Sequence, residues 1–143
     1  MIQTSPLTSL TQVEFIEPIL GFAGESIFRL VSLEGSGVLW ALESTITAGL
    51  RFVTAVPEPF FPDYSPRVDV DVVAPLLGAD EVEPDASSLQ LLVILSVSGT
   101  ISTATANLLA PVILAPATGR AKQIVLTDDT LSLRAPLSPA WAG

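Results

Sequence analysis

The chain has no cysteine and no histidine, and only six lysines and arginines among its 143 residues. A disulfide framework, a thiol or imidazole nucleophile or base, and an ordinary zinc, haem or iron–sulfur site are thereby excluded. The six cations, Arg29, Arg51, Arg67, Arg120, Lys122 and Arg134, are scattered along the sequence. Binding nucleic acid by phosphate neutralisation needs clustered cations, which argues against direct contact with RNA or DNA. Long apolar runs are missing too: residues 86–119 carry no charge, yet the longest strictly apolar run in them is Leu91–Leu95. A spanning helix takes roughly 20 mostly apolar residues, so this stretch reads as strands. No basic stretch followed by an apolar core opens the chain, and a cytoplasmic location is expected. What is abundant is acid and apolar surface: fifteen Asp and Glu, a net charge of −9, 49% apolar residues and a mean hydropathy of +0.59. The length fits one domain able to bury about two-thirds of its unfolded surface.

Twelve prolines and nine glycines cut the chain into segments too short for amphipathic helices, and the residues between them are rich in Val, Ile and Leu. Strands are expected at Thr11 to Ile16, Ser26 to Leu33, Val38 to Ser44 and Leu50 to Val56. Gly35-Ser36-Gly37 marks a hairpin loop. Strict alternation in Arg67-Val68-Asp69-Val70-Asp71-Val72 predicts a half-buried strand with Arg67, Asp69 and Asp71 on its wet face. Pro75 to Asp85 reads as an exposed acidic excursion with at most a helical turn. The near-continuous apolar runs in Ser88 to Val97 and Thr103 to Leu114 predict central strands buried on both faces. A last hairpin is expected from Gln123 to Thr127 and Thr130 to Leu133 around Asp128-Asp129. The whole reads as an all-β, small antiparallel β-barrel-like single domain spanning residues 1–143, with residues 1–10 and 138–143 loose.

No catalytic constellation emerges. The pairs Asp69 and Asp71, and Asp128 and Asp129, sit where a wet strand face and a turn call for charge. The run Asp80-Glu81-Val82-Glu83-Pro84-Asp85 lacks the glycine and spacing of a calcium loop, and no metal or cofactor site is expected. Phe60-Phe61-Pro62-Asp63-Tyr64 is the densest aromatic cluster, and burying each ring is worth roughly 1.5–3 kcal/mol, so at least two rings are expected to plug the end of the sheet.

Four blocks carry a resemblance. They are Phe60-Phe61-Pro62-Asp63-Tyr64, Thr105-Ala106-Asn107-Leu108-Leu109-Ala110-Pro111-Val112-Ile113-Leu114, Gly119-Arg120-Ala121-Lys122-Gln123-Ile124-Val125-Leu126, and Leu133-Arg134-Ala135-Pro136-Leu137. Their order and spacing resemble the flagellar assembly factor family, FliW, from about Phe15 to Leu137. The resemblance implies a non-enzymatic cytoplasmic regulator, monomeric when free, that binds newly made flagellin and the RNA-binding translational repressor CsrA. Release of flagellin by secretion would then free the factor to capture CsrA and relieve repression of the flagellin message.

Because an RNA-binder presents a basic surface, an acidic antagonist is steered to it and repels RNA once docked. Asp69, Asp71, Asp80, Glu81, Glu83 and Asp85 are the candidates for that patch, their other reading being charge that keeps an apolar β protein soluble. Phe61, Tyr64 and the Asn107-Leu108 region are candidates for the flagellin contact, and Asp63 is a candidate partner contact not divided between the two proteins. Asn107 has a second reading, a satisfied amide fixing a bulge or turn beside Pro111. Lys122 and Gln123 divide between a structural hydrogen-bond network and recognition. The competing functional class is a small hydrolase or ligand-binding barrel.

Overall fold

A computed structural model describes residues 10–19, 21–22, 24–33, 37–66, 68, 70–77, 89–97, 103–116, 118–127 and 130–137. Strands β1 (Leu10–Phe15), β2 (Ile27–Ser32), β3 (Leu39–Ser44) and β4 (Arg51–Ala55) precede helix α1 (Val70–Leu77). Strands β5 (Gln90–Ser96), β6 (Thr105–Ala106), β7 (Val112–Ala115), β8 (Arg120–Gln123) and β9 (Ala135–Pro136) follow it. The sheet order is β4-β3-β2-β1-β8-β7-β5-β6-β9, and β4 also pairs with β5, so the seven strands from β4 to β5 close into a barrel.

The expected antiparallel pairing holds around that ring except at one seam, where β1 and β8 run parallel with Glu14 opposite Arg120 and Phe15 opposite Ala121. The exception is geometric. Strand direction cannot alternate all the way round a closed ring with an odd number of members.

Alternation along each strand fills the barrel. Val13 and Phe15, Phe28 and Leu30, Trp40 and Leu42, Leu92, Val112 and Leu114, and Ala121 form one buried cluster, with Phe52 and Ile94 packed on it. Phe15, Phe28 and Phe52 meet edge to face at centroid separations of 5.5 and 5.9 Å. The alternate residues of β5 are buried on the outside. Val93 and Leu95 lie under Phe60, Ala104, Leu108 and Leu137, while Leu91 lies with Ile113 and Leu76. Covering on both faces is why β5 reads as a continuous apolar run.

Four expectations need correction. Residues 70–77 are helical, so Asp71 stands exposed in the first turn of α1 and not on a strand face. Val68, Val72 and Leu76 fit a helical spacing as well as the first two fit a strand, and the burial of Leu76 against β5 and β7 decides between them. The chain then ends the helix with outside help: Thr118 Oγ1 donates to the Leu76 carbonyl at 2.5 Å, and Arg120 donates to the Pro75 carbonyl at 3.0 Å. Side chains thus supply the donors that the last turn lacks.

The final hairpin does not form as expected, because both of its arms bond to a turn lying between them. Ile124 and Leu126 amides donate to the carbonyls of Pro111 and Leu109, while the Leu108 amide donates to Ser132. The aromatic block also sits elsewhere. Phe60 is buried, with Phe61 and Tyr64 partly so, against the outer face of β4 and β5, while the barrel end is filled by Phe15, Phe28 and Phe52.

The long strand expected from Thr103 to Leu114 is interrupted. Ala106 faces Leu95 and Val112 faces Leu92, so the chain takes six steps where β5 takes three. The surplus loops out as the turn from Asn107 to Pro111.

Candidate functional site

The loop-out is the point where the four sequence blocks meet. Asn107 holds it open: its Oδ1 accepts hydrogen bonds from the amides of Leu109 at 3.1 Å and Ala110 at 3.0 Å, and its own amide donates to Ile94. Asparagine suits this place because one short side-chain oxygen can satisfy two successive amides that no strand partner reaches.

The first block arrives through Tyr64, whose hydroxyl donates to the Leu108 carbonyl at 2.5 Å. Burial pushes the Tyr64 hydroxyl's pKa up from its ordinary value of 10.0. The third block arrives through Gln123, whose side-chain amide donates to the Ala110 carbonyl at 3.3 Å. The fourth arrives through Ser132, just ahead of it, on the Leu108 amide, and through Ala135, which pairs with Ala106. Leu108 itself is buried beneath the junction.

Tyr64, Asn107, Leu108 and Gln123 are therefore built into the fold by their own bonds. The candidates with reach into solvent are others. Asp63 is exposed beside Tyr64 and Phe61 is partly so. Lys122 is mostly covered and ion-paired with Glu17 at 3.4 Å. Asp71 is exposed in the first turn of α1. Asp69, Asp80, Glu81, Glu83 and Asp85 lie outside the described residues, as do Arg67 and the Asp128-Asp129 pair.

Among the described residues no group of three or more acids could hold a metal ion. No described helix is long and apolar enough to cross a membrane. The junction is a set of satisfied donors and acceptors that fixes the shape of a surface, and it holds no general base next to a nucleophile.

Sequence reasoning named Gly119 and Arg120 only as motif members and gave no role to them or to Thr118, although Thr118 and Arg120 close α1. The glycine's φ of +77° was not legible, but its position ahead of β8 was a turn signal.

The FliW protein family matches residues 2–137. The flagellar assembly factor FliW of Symbiobacterium thermophilum is 36% identical over 126 residues, covering 87% of each chain. That of Bacillus subtilis is 31% identical over 86% of this chain and 82% of its own. A crystal structure of the flagellar assembly factor FliW superposes with a TM-score of 0.77 at 31% identity, over 90% of this chain and 86% of that one. The match takes in all seven barrel strands, the looped-out turn and each of the four blocks that converge on it, and the chain belongs to the FliW family.

Proposed function

We propose that this protein is a non-enzymatic flagellar assembly factor of the cytoplasm that binds flagellin and, when flagellin has been exported, captures the translational repressor CsrA. The observation that carries this reading is the family match over nearly the whole chain, to relatives that bear the name flagellar assembly factor. The net charge of −9 supports the CsrA half. A protein that holds RNA through phosphates presents cations, and an acidic antagonist gains association rate from them and excludes RNA after docking. Asp63 and Asp71 are exposed acids available for that contact, and Asp69, Asp80, Glu81, Glu83 and Asp85 add to the same sign in sequence. Packing also bears on the competing class, since Leu30, Leu42, Leu92 and Leu114 are buried together inside the barrel.

The test is affinity for purified CsrA, with and without purified flagellin, at two salt concentrations. The reading expects binding of both proteins, with CsrA affinity falling as salt rises. Absence of binding to both, with substrate turnover in its place, would overturn it.

A further inference from the structure

One of the two seams that close the barrel is the junction of β4 with β5, and its ladder is short. Two Cα pairs make it, Thr54 with Ile94 and Ala55 with Val93, against five pairs each in β2–β3 and β3–β4. Arg51, Phe52 and Val53 have Cα partners on β3 alone. At the other end of the seam Pro57 stops the ladder. Continuing the register would set it opposite Leu91, and proline has no N–H to give. The Gln90 side-chain amide supplies one in its place, donating to the Leu91 carbonyl at 2.7 Å. The buried Gln90 Oε1 is left without a donor, alone in this among the buried side-chain atoms of the described residues. Thr54, the polar side chain at the seam, bonds back to the Trp40 carbonyl on β3 and not across to β5. The other two-pair seam, β1–β8, is carried further by the Ile16 amide on the Ala121 carbonyl and by the Lys122–Glu17 ion pair.

What the β4–β5 ladder lacks is laid over it from outside. Phe60, Leu108 and Leu137 pack on Ala55, Val93 and Leu95. They come from segments far apart in sequence that are bonded to one another: Tyr64 to Leu108, Leu108 to Ser132, Leu137 to Ala104, and Ala106 in register with Ala135. This cover is anchored on both sides of the seam. The chain enters it from β4 through Pro57, whose carbonyl accepts the Phe60 and Phe61 amides. It is held to β5 by the pairing of Leu95 with Ala106 and by the Asn107 amide on the Ile94 carbonyl. Apolar burial is non-directional, so the cover draws β4 and β5 together without rungs between them.

We infer that these three segments form a strap that holds the barrel shut, and that the β4–β5 seam and its strap are one cooperative unit that opens before the rest of the barrel. β4 and β5 can part while β1 and β8 stay joined. Strand alternation tells which amides report the opening. Val56 donates to Val38 on β3 and Ile94 accepts from Asn107, so the N–H groups of Ala55 and Val93 face each other across the seam. Leu33 donates to Leu39, so those of Val31 and Ala41 face each other inside β2–β3.

The test is amide hydrogen exchange by NMR in the wild-type chain and in the double variant Ala55→Cys, Val93→Cys, oxidised and reduced. The natural chain has no cysteine, and paired Cα atoms of an antiparallel ladder lie within disulfide reach. In the wild type the amides of Ala55, Val93 and Leu108 should share one level of protection, at least about tenfold below that of Val31 and Ala41, with a weaker urea dependence because less surface is exposed. Oxidation of the double variant should bring Ala55 and Val93 to the protection of Val31 and Ala41, and reduction should restore the gap. Equal protection at all five amides in the wild type means that the barrel opens as a whole and overturns the inference. A gap that survives oxidation assigns it to fraying of single residues, and a Leu108 amide as protected as Val31 separates the strap from the seam; either overturns it too. Should the double variant fail to fold, the wild-type protection and its urea dependence decide.

Discussion

Tyr64 donates its hydroxyl hydrogen to the carbonyl of Leu108, joining the aromatic loop after β4 to the looped-out turn 44 residues away. The bond fixes a turn whose position no strand ladder determines. Tyr64→Phe keeps the ring and removes the donor, leaving the Leu108 carbonyl without that partner in a partly buried place. Stability should fall by about 1–2 kcal/mol in urea unfolding with the slope unchanged. A midpoint equal to wild type would mean that water replaces the hydroxyl at no cost.

The same side chain gives a spectroscopic reading, because it is the only tyrosine in the chain. Burial raises its folded pKa above the ordinary 10.0. The unfolded chain therefore releases the phenolic proton first, and the associated stability is complete below pH 10 and lost as pH rises beyond it. Phenolate absorbance should appear together with loss of circular dichroism. Phenolate forming with a midpoint at 10 in a chain that stays folded would contradict the burial of this hydroxyl.

Much of this was legible in sequence where one period stood alone. In β1 to β4 the alternating residues enter the barrel, and the continuous run of β5 is covered on both sides, as its composition suggested. The chain from Val68 to Leu76 was ambiguous because the same valines serve a strand period and a helical one, and only the partner surface on β5 and β7 separates them. The last two arms misled for another reason: each has strand composition, but the acceptors and donors that satisfy them belong to the turn from Asn107 to Pro111, which lies earlier in the chain. Phe61, Asp63, Tyr64, Asn107, Leu108, Lys122 and Gln123 were found as motif members, yet sequence could not divide those that build the junction from those that face solvent.

Asn107 is the clearest builder. Asn107→Ala leaves the amides of Leu109 and Ala110 without their acceptor and should cost about 1–3 kcal/mol. Asn107→Asp keeps an oxygen in place and should cost less. If alanine and aspartate variants unfold at the same denaturant concentration, the side-chain oxygen is not what holds the turn.

Glu25 ties the β1–β2 connection to the β3–β4 hairpin through Ser44 and Thr47, and those hydroxyls hold its pKa below the ordinary 4.5. A carboxyl lowered in the folded state stabilises above its unfolded pKa and loses that effect as pH falls through the folded value. Amide protection at Ile46 and Thr47, whose N–H groups bond to Ser44, should therefore decline as pH drops below 4.5. In Glu25→Gln the decline should vanish. A variant that keeps the wild-type acid dependence would assign it to another carboxyl.

Gly119 sits at the parallel seam that an odd-stranded ring cannot avoid. Its carbonyl accepts the Glu14 amide at 2.7 Å, its φ is +77°, and an added Cβ would stand 3.0 Å from the backbone oxygen of Gln12. Gly49 offers an internal control: its φ is +85°, but a Cβ there meets nothing within 4 Å. Alanine at either position bears the left-handed backbone, worth about 1 kcal/mol. Only at Gly119 does it also press on the backbone of β1, where no flexible side chain can give way. Gly119→Ala should thus lose about 2–3 kcal/mol against about 1 for Gly49→Ala, read from denaturant midpoints. It should also weaken amide protection at Glu14, the neighbouring rung of the seam. Equal losses in the two variants would show that β1 shifts freely against β8 and that the barrel is not closed by a rigid contact there.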